Sequence, residues 1–427
     1  MLQASGAVRS VDRPSRPCTS WTSPVGPTAH ARRHHWTRLL VTGLACALAA
    51  ACTSTDRQQA TATSQASAAP IQRHYWPTAG WQSAAPNQQG MNPAVLDDLD
   101  TMVPDLYPQV LSVLVIRHGY LVYERYWHGA SAGDGQSSFS VTKSFTSALV
   151  GIALGDGKLK GLDQTVEELL APHLPPDADP RLRQVTVAQL LAMTSGLAGD
   201  DSSLAGDDRI TERMAQSRDW VRHILGRRPE TTPGESFAYS GANSHLLSAI
   251  VADATGQSTL DYARAKLFGP LGIATDNALE QVLRRWPPTP AQVAAYERAP
   301  VAWPKDPQGY HLGDSLLRLP ARDLAKLGYL YLNGGRWDGT QVVPADYVAA
   351  STRPQSDPTV GPGDYGYHWW VTNETGHASF RAMGFGGQLI QVIPDLDLVV
   401  VITSDYTQER YDAANLVGGV IVPATTS

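Results

Sequence analysis

A chain of 427 residues in which 42% are hydrophobic and 17% charged has enough apolar material for a large core and too little charge for a disordered polymer. The net charge is −6, and residues 1–51 hold six arginines against one aspartate, so the rest is more acidic than the whole. That balance excludes a nucleic-acid role, which needs clustered lysine and arginine. The three cysteines, Cys18, Cys46 and Cys52, all lie near the N-terminus, which excludes thiol catalysis, a disulfide framework and cysteine metal sites from everything beyond them.

In chain order, Arg32, Arg33 and Arg38 precede an apolar run at 39–51 that is too short for a stable membrane span and reads as the core of an export signal. It ends in Leu48-Ala49-Ala50-Ala51-Cys52, which resembles a bacterial lipobox. Cys52 is therefore expected to be lipidated and to hold the exported protein at the bacterial membrane, outside the cytoplasm; the alternative is an ordinary signal-peptidase site with Cys52 incidental. Residues 52–74 are rich in Ser, Thr, Ala and Gln and predict a disordered tether. A single folded domain is expected over 75–422, followed by a tail at 423–427.

Apolar runs at 110–117 and 121–127, separated by His118-Gly119-Tyr120, predict a β-hairpin. A polar loop then leads to Ser140, and apolar residues at helical spacing predict a helix over 140–154, stopped by Gly155-Asp156-Gly157. Further helices are expected at 187–193, 212–225, 244–254 and 260–267. Two strands, 388–393 and 398–403, flank the turn Pro394-Asp395-Leu396-Asp397, and 412–420 is expected to close the chain as a helix. Strands at both ends with helices between them imply an α+β arrangement. A central antiparallel sheet would come from about 75–139 and 300–422, with a mainly helical lobe inserted at about 155–290.

A serine hydroxyl needs a base to become a nucleophile, and residues three apart share a helix face. Ser140-Val141-Thr142-Lys143 supplies that pair, and Lys143 is the only lysine before Lys158. Burial would lower the Lys143 pKa toward a range where its amine accepts the serine proton. Gly129-Ala130-Ser131-Ala132-Gly133 also matches a nucleophile elbow, but Asp134-Gly135-Gln136 after it reads as loop where that motif needs a helix. His245, His311, His368 and His377 have no partner at metal-ligand spacing; His377, shortly before Gly384, is a cleft candidate.

With Phe139-Ser140-Val141-Thr142-Lys143-Ser144, the segment Thr186 to Leu197 (TVAQLLAMTSGL) and Pro233-Gly234-Glu235-Ser236-Phe237-Ala238-Tyr239-Ser240 in this order, the chain resembles the serine β-lactamase and penicillin-binding-protein superfamily. The nearest branch is that of related esterases and aminohexanoate-dimer hydrolases. The resemblance implies a β-lactamase/transpeptidase-like fold and an acyl-enzyme mechanism without metal or cofactor. By it, Ser140 is the nucleophile, Lys143 and Tyr239 handle its proton, and the backbone N–H groups of Ser140 and Phe385 form the oxyanion hole. Asn243, Gly384, Gly386 and Trp369 are the implied substrate-binding residues. The family's Lys-Thr-Gly becomes Ala382-Met383-Gly384, so the cation that would hold a substrate carboxylate is missing. Neutral carboxylic esters come first as substrates and linear amides next; β-lactams, D-Ala-D-Ala peptides or a non-catalytic envelope binding module are the alternatives. A small-molecule ester or amide and the membrane are the expected partners, with no obligate protein partner.

Overall fold

A computed structural model describes residues 73–426 apart from 202, 203, 205 and 409. The export signal, Cys52 and most of the tether lie outside the described residues.

Seven strands build the main sheet: β1 (Val110–Arg117), β2 (Tyr120–Tyr126), β3 (Asp364–Tyr365), β4 (Trp370–Glu374), β5 (His377–Gly384), β6 (Gln388–Ile393) and β7 (Leu398–Ser404). Their spatial order is β2-β1-β7-β6-β5-β4-β3, with every neighbouring pair antiparallel. The hairpin from the N-terminal part is thus completed by the C-terminal strands, with Val115 opposite Val400 at the seam. The β1–β2 turn holds His118 and Gly119 at positive φ (54° and 88°), the backbone twist that suits a tight two-residue hairpin.

Both faces of the sheet are covered, which is why β7 (LVVVITS) is buried along its whole length and reads as a continuous apolar run. On one face lies α4 (Ala321–Leu332). At Gly328 an added Cβ would sit 2.7 Å from Val399 and 2.8 Å from Ile390, so glycine lets this helix seat directly on β6 and β7. Leu96, Leu99 and Val103 from the N-terminal side, with Leu416, Val420 and Ile421 from the C-terminal side, fill the other face. This is the sheet with an inserted helical lobe that the sequence predicts.

The folded body reaches beyond its predicted limits. Arg73, assigned to the tether, makes two bonds to the Asp397 carboxylate (2.7 and 2.6 Å) and one to Asn333 (2.6 Å). Ala424, assigned to the tail, is buried and accepts the Asn92 N–H at 2.7 Å.

In the helical lobe, α1 (Thr142–Gly155), α2 (Val187–Leu191) and α3 (Gly241–Thr255) pack together. The single helix expected at 212–225 is two, Arg209–Ala215 and Trp220–Leu225, because Asp219 accepts the Arg222 N–H and starts the second. The run at 260–267 is α-helical only over Thr259–Ala263 and then widens to a π turn, Arg264–Phe268. Residues 412–421 close the chain as one unbroken helical segment, as expected, but it opens as a 3-10 turn (Asp412–Ala414) and widens to a π turn (Val417–Ile421), leaving little regular α-helix.

Candidate active site

Ser140 occupies a 3-10 turn, Phe139–Val141, that runs directly into α1. The turn is clamped from below: Ser138 is buried, and its N–H and hydroxyl both donate to the Leu317 carbonyl (2.9 and 2.7 Å). Thr142 Oγ1 accepts the Leu317 N–H at 3.1 Å. Gly384, the last residue of β5, passes so close that a Cβ there would lie 2.3 Å from the Ser138 carbonyl oxygen. The end of the edge-side hairpin and the serine turn are thereby held against each other, with the Phe139 and Phe385 rings 5.6 Å apart.

Lys143 follows one turn later and is buried, with its ammonium pointed back at the serine: Nζ is 3.0 Å from Ser140 Oγ and 3.0 Å from the Asp314 carbonyl. It also lies 4.8 Å from the centre of the Tyr239 ring. Tyr239 comes from the extended segment ahead of α3, and its phenol lines the pocket at Ser140 and is electrostatically coupled to Lys143 and Ser140. The segment is fixed by the strip after α2: Ala238 N–H donates to the Met193 carbonyl (2.9 Å) and Gly234 N–H to that of Thr194 (2.7 Å). The Thr186–Leu197 stretch therefore acts as the backing of the tyrosine segment.

The electrostatics differ from the expectation that burial makes Lys143 a ready base. Burial does pull the amine down, but the neighbouring Tyr239, Asp314 and Asp200 outweigh it, and its pKa is raised above that of an ordinary lysine. Burial likewise raises the Tyr239 phenol, against the opposing pull of Lys143 and Ser140. The resting site holds an ammonium and a neutral phenol. His368, buried at positive φ (62°), is held neutral by burial and by Lys143, its pKa lowered to about 3. Its Nε2 meets Ser244 Oγ at 2.9 Å, and its carbonyl accepts the Ser144 hydroxyl at 2.7 Å, tying α1 to α3.

Asp200 was not legible as a site residue. It is half-buried and accepts the Gly241 N–H (2.7 Å), the Ser240 hydroxyl (2.9 Å) and the Ala242 N–H (3.3 Å), capping α3 across forty residues of chain. Its two-residue neighbourhood, Asp200-Asp201, carries no pattern that marks it; only the fold brings it to α3.

A pocket of about 370 Å³ opens beside Ser140, within the range of small-molecule sites. Tyr239, Trp370, Met383, Phe385 and Tyr411 give it aromatic and apolar walls, Leu204, Gly361, Pro362 and Gly384 close it, and Asp201 is its one charged lining residue. No lysine or arginine lines it among the described residues.

Of the residues expected to bind substrate, Gly384 lines the pocket and three do not. Asn243 is buried inside α3, accepting the Ser195 hydroxyl (2.6 Å) and facing Met193 Sδ, so it neither lines the cleft nor caps the helix. Gly386 packs on the Tyr406 backbone, where a Cβ would lie 2.4 Å from Tyr406 Cα. Trp369 is fully buried between Tyr331 and Phe380 (4.6 and 5.3 Å), and its neighbour Trp370 takes the pocket wall. His377 pairs with Asp395 at 2.7 Å, away from the cleft. Ser131 is exposed and bonded to Asp134 in a turn, with no helix after it. Among the described residues no group of three or more His, Cys, Asp or Glu side chains could hold a metal ion.

The family described as Beta-lactamase matches residues 109–418. An uncharacterized protein of Alkalihalophilus pseudofirmus is 26% identical over 326 residues, 68% of this chain and 82% of its own. The 6-aminohexanoate-dimer hydrolase of Paenarthrobacter ureafaciens is 25% identical over 336 residues, 73% of this chain and 78% of its own. Among solved structures, EstCE1, a hydrolase with promiscuous acyltransferase activity, superposes with a TM-score of 0.58 at 17% identity, covering 77% of this chain and 98% of its own.

Proposed function

The chain belongs to the beta-lactamase family, and from that premise we propose that it is a serine hydrolase that cleaves neutral carboxylic esters or linear amides through an acyl-enzyme on Ser140. The observation that carries this reading is the contact of Lys143 Nζ with Ser140 Oγ at 3.0 Å, with the Tyr239 ring 4.8 Å from the same Nζ and lining the pocket at Ser140. Once the Lys143–Tyr239 pair has lost a proton it accepts the one on Ser140 as Oγ attacks the carbonyl carbon. The backbone N–H groups of Ser140 and Phe385, both lining the pocket, hold the oxyanion. Collapse of the tetrahedral species breaks the bond to the leaving alcohol or amine, which takes its proton from the pair. Water then repeats the sequence and frees the acid.

The pocket favours uncharged acyl substrates, because no lysine or arginine among the described residues lines it and Ala382, where the superfamily's lysine would stand, is buried in β5. The amide arm of the proposal is supported by the relative named for hydrolysis of the 6-aminohexanoate dimer. Short p-nitrophenyl esters should turn over at least about a hundredfold faster than nitrocefin, a difference of roughly 3 kcal/mol, and Ser140→Ala should abolish both. Nitrocefin turnover matching that of the esters would overturn the substrate class.

Export and lipid anchoring at Cys52 complete the proposal, supported by the apolar run at 39–51 and the lipobox-like end before Cys52. Full-length protein should partition with membranes and the Cys52→Ala variant should not; equal partitioning would refute the anchor.

A further inference from the structure

One wall of the pocket beside Ser140 is a single indole. Trp370 stacks on the Tyr239 ring (6.0 Å between centres, 14° between planes) and is braced edge-on by Tyr365 (4.7 Å, 78°). Its far edge touches Gly361, where a Cβ would lie 2.5 Å from both Cη2 and Cζ3, at a backbone φ of +108° that disfavours any side chain. Gly361 and Pro362 face two ways. They line the pocket at Ser140, and they also line a second cavity of about 450 Å³ whose other walls include Thr359, Asp364, Thr372 and Asn373. An indole and a two-residue stretch of backbone are thus what bounds the apolar pocket on this side, with open volume beyond it.

We propose that Trp370 is the specificity-determining residue of this site: it limits the length of the apolar arm adjoining the scissile carbonyl, and Gly361 sets where the limit falls. The inference rests on the hydrolase reading above. An arm that ends before the indole is buried among Met383, Phe385 and Leu204. Methylenes beyond that point find no room and add nothing to binding, whereas in a deeper pocket each buried methylene is worth roughly fourfold in kcat/KM.

The test measures kcat/KM over p-nitrophenyl esters from acetate to dodecanoate, and over acetate esters of lengthening alcohols, for the parent protein, Trp370→Ala, Trp370→Phe and Gly361→Ala. Ratios between chain lengths cancel any general loss from unstacking Tyr239. In the parent, kcat/KM should peak at short arms in one of the two series. Trp370→Ala should move that peak to longer arms by at least two methylenes, raising the long-to-short ratio by roughly tenfold or more. Trp370→Phe should move it partway, and Gly361→Ala, which drives the indole into the pocket, should move it to shorter arms. Unchanged chain-length profiles in both series, with the variants folded and turning over acetate, would overturn the inference and leave the hydrolase reading standing. Failure of the parent to cleave any ester or amide would overturn the hydrolase reading itself.

Discussion

Lys143 shows how a buried lysine can stay charged: desolvation favours the neutral amine, yet a phenol and two carboxylates around it favour the ammonium more strongly. The sign of the pH dependence follows. If the Lys143–Tyr239 pair must give up a proton before it can accept one, and both pKa values are raised, the active fraction grows as pH rises toward them. From about pH 6 to 9, kcat/KM for a neutral ester should increase close to tenfold per pH unit. A plateau beginning near pH 7 would show that a group of lower pKa is the base. Asp200 contributes to holding the proton on Lys143, so Asp200→Asn should displace the profile toward acid pH, measured on the same ester. At this scale the serine and lysine were legible because a three-residue spacing on a helix puts two side chains on one face whatever the tertiary fold. Asp200 was not, because it reaches α3 only through packing.

Elements position these groups by close approach. Gly384→Ala would place a methyl 2.3 Å from the Ser138 carbonyl oxygen and force β5 away from the serine turn. A displacement of that order should lower kcat by about a hundredfold, while the change in thermal midpoint stays that of a modest overpacking; undiminished kcat would show that the β5 end does not shape the site. Thr186 begins α2 with a capping box, its hydroxyl accepting the Gln189 N–H at 3.2 Å while Gln189 Oε1 accepts the Thr186 N–H at 3.0 Å. Thr186→Ala should cost about 1 kcal/mol, read by denaturant unfolding. The exchange of Trp369 for Trp370 belongs to this scale. Strand alternation would have phased the two tryptophans, but β4 starts only at Trp370, after a turn closed by Gly366 N–H to the Trp369 carbonyl (2.8 Å) with His368 at positive φ. Period-two reasoning has no purchase on a turn.

Across the whole molecule, alternating and continuous apolar runs made the sheet and its inserted lobe readable, since burial on both faces leaves a direct mark on composition. The limits of the folded body left no such mark. Arg73 looks like the end of a polar tether, yet it is nearly buried and bound to Asp397 beside the β6–β7 turn. Removing one partner of a buried ion pair leaves the other unsatisfied, so Arg73→Ala should destabilise the domain by about 3 kcal/mol, and a chain begun at residue 75 should unfold at lower denaturant than one begun at 72. Equal midpoints would place Arg73 outside the cooperative unit.

The central claim is that Ser140 becomes acylated by its substrates. Reaction of the folded protein with a fluorophosphonate, followed by peptide mass spectrometry, tests it most directly. The adduct should fall on Ser140, vanish in Ser140→Ala and slow at least about a hundredfold in Lys143→Ala. An adduct on Ser131, or undiminished labelling of Ser140→Ala, would contradict the account.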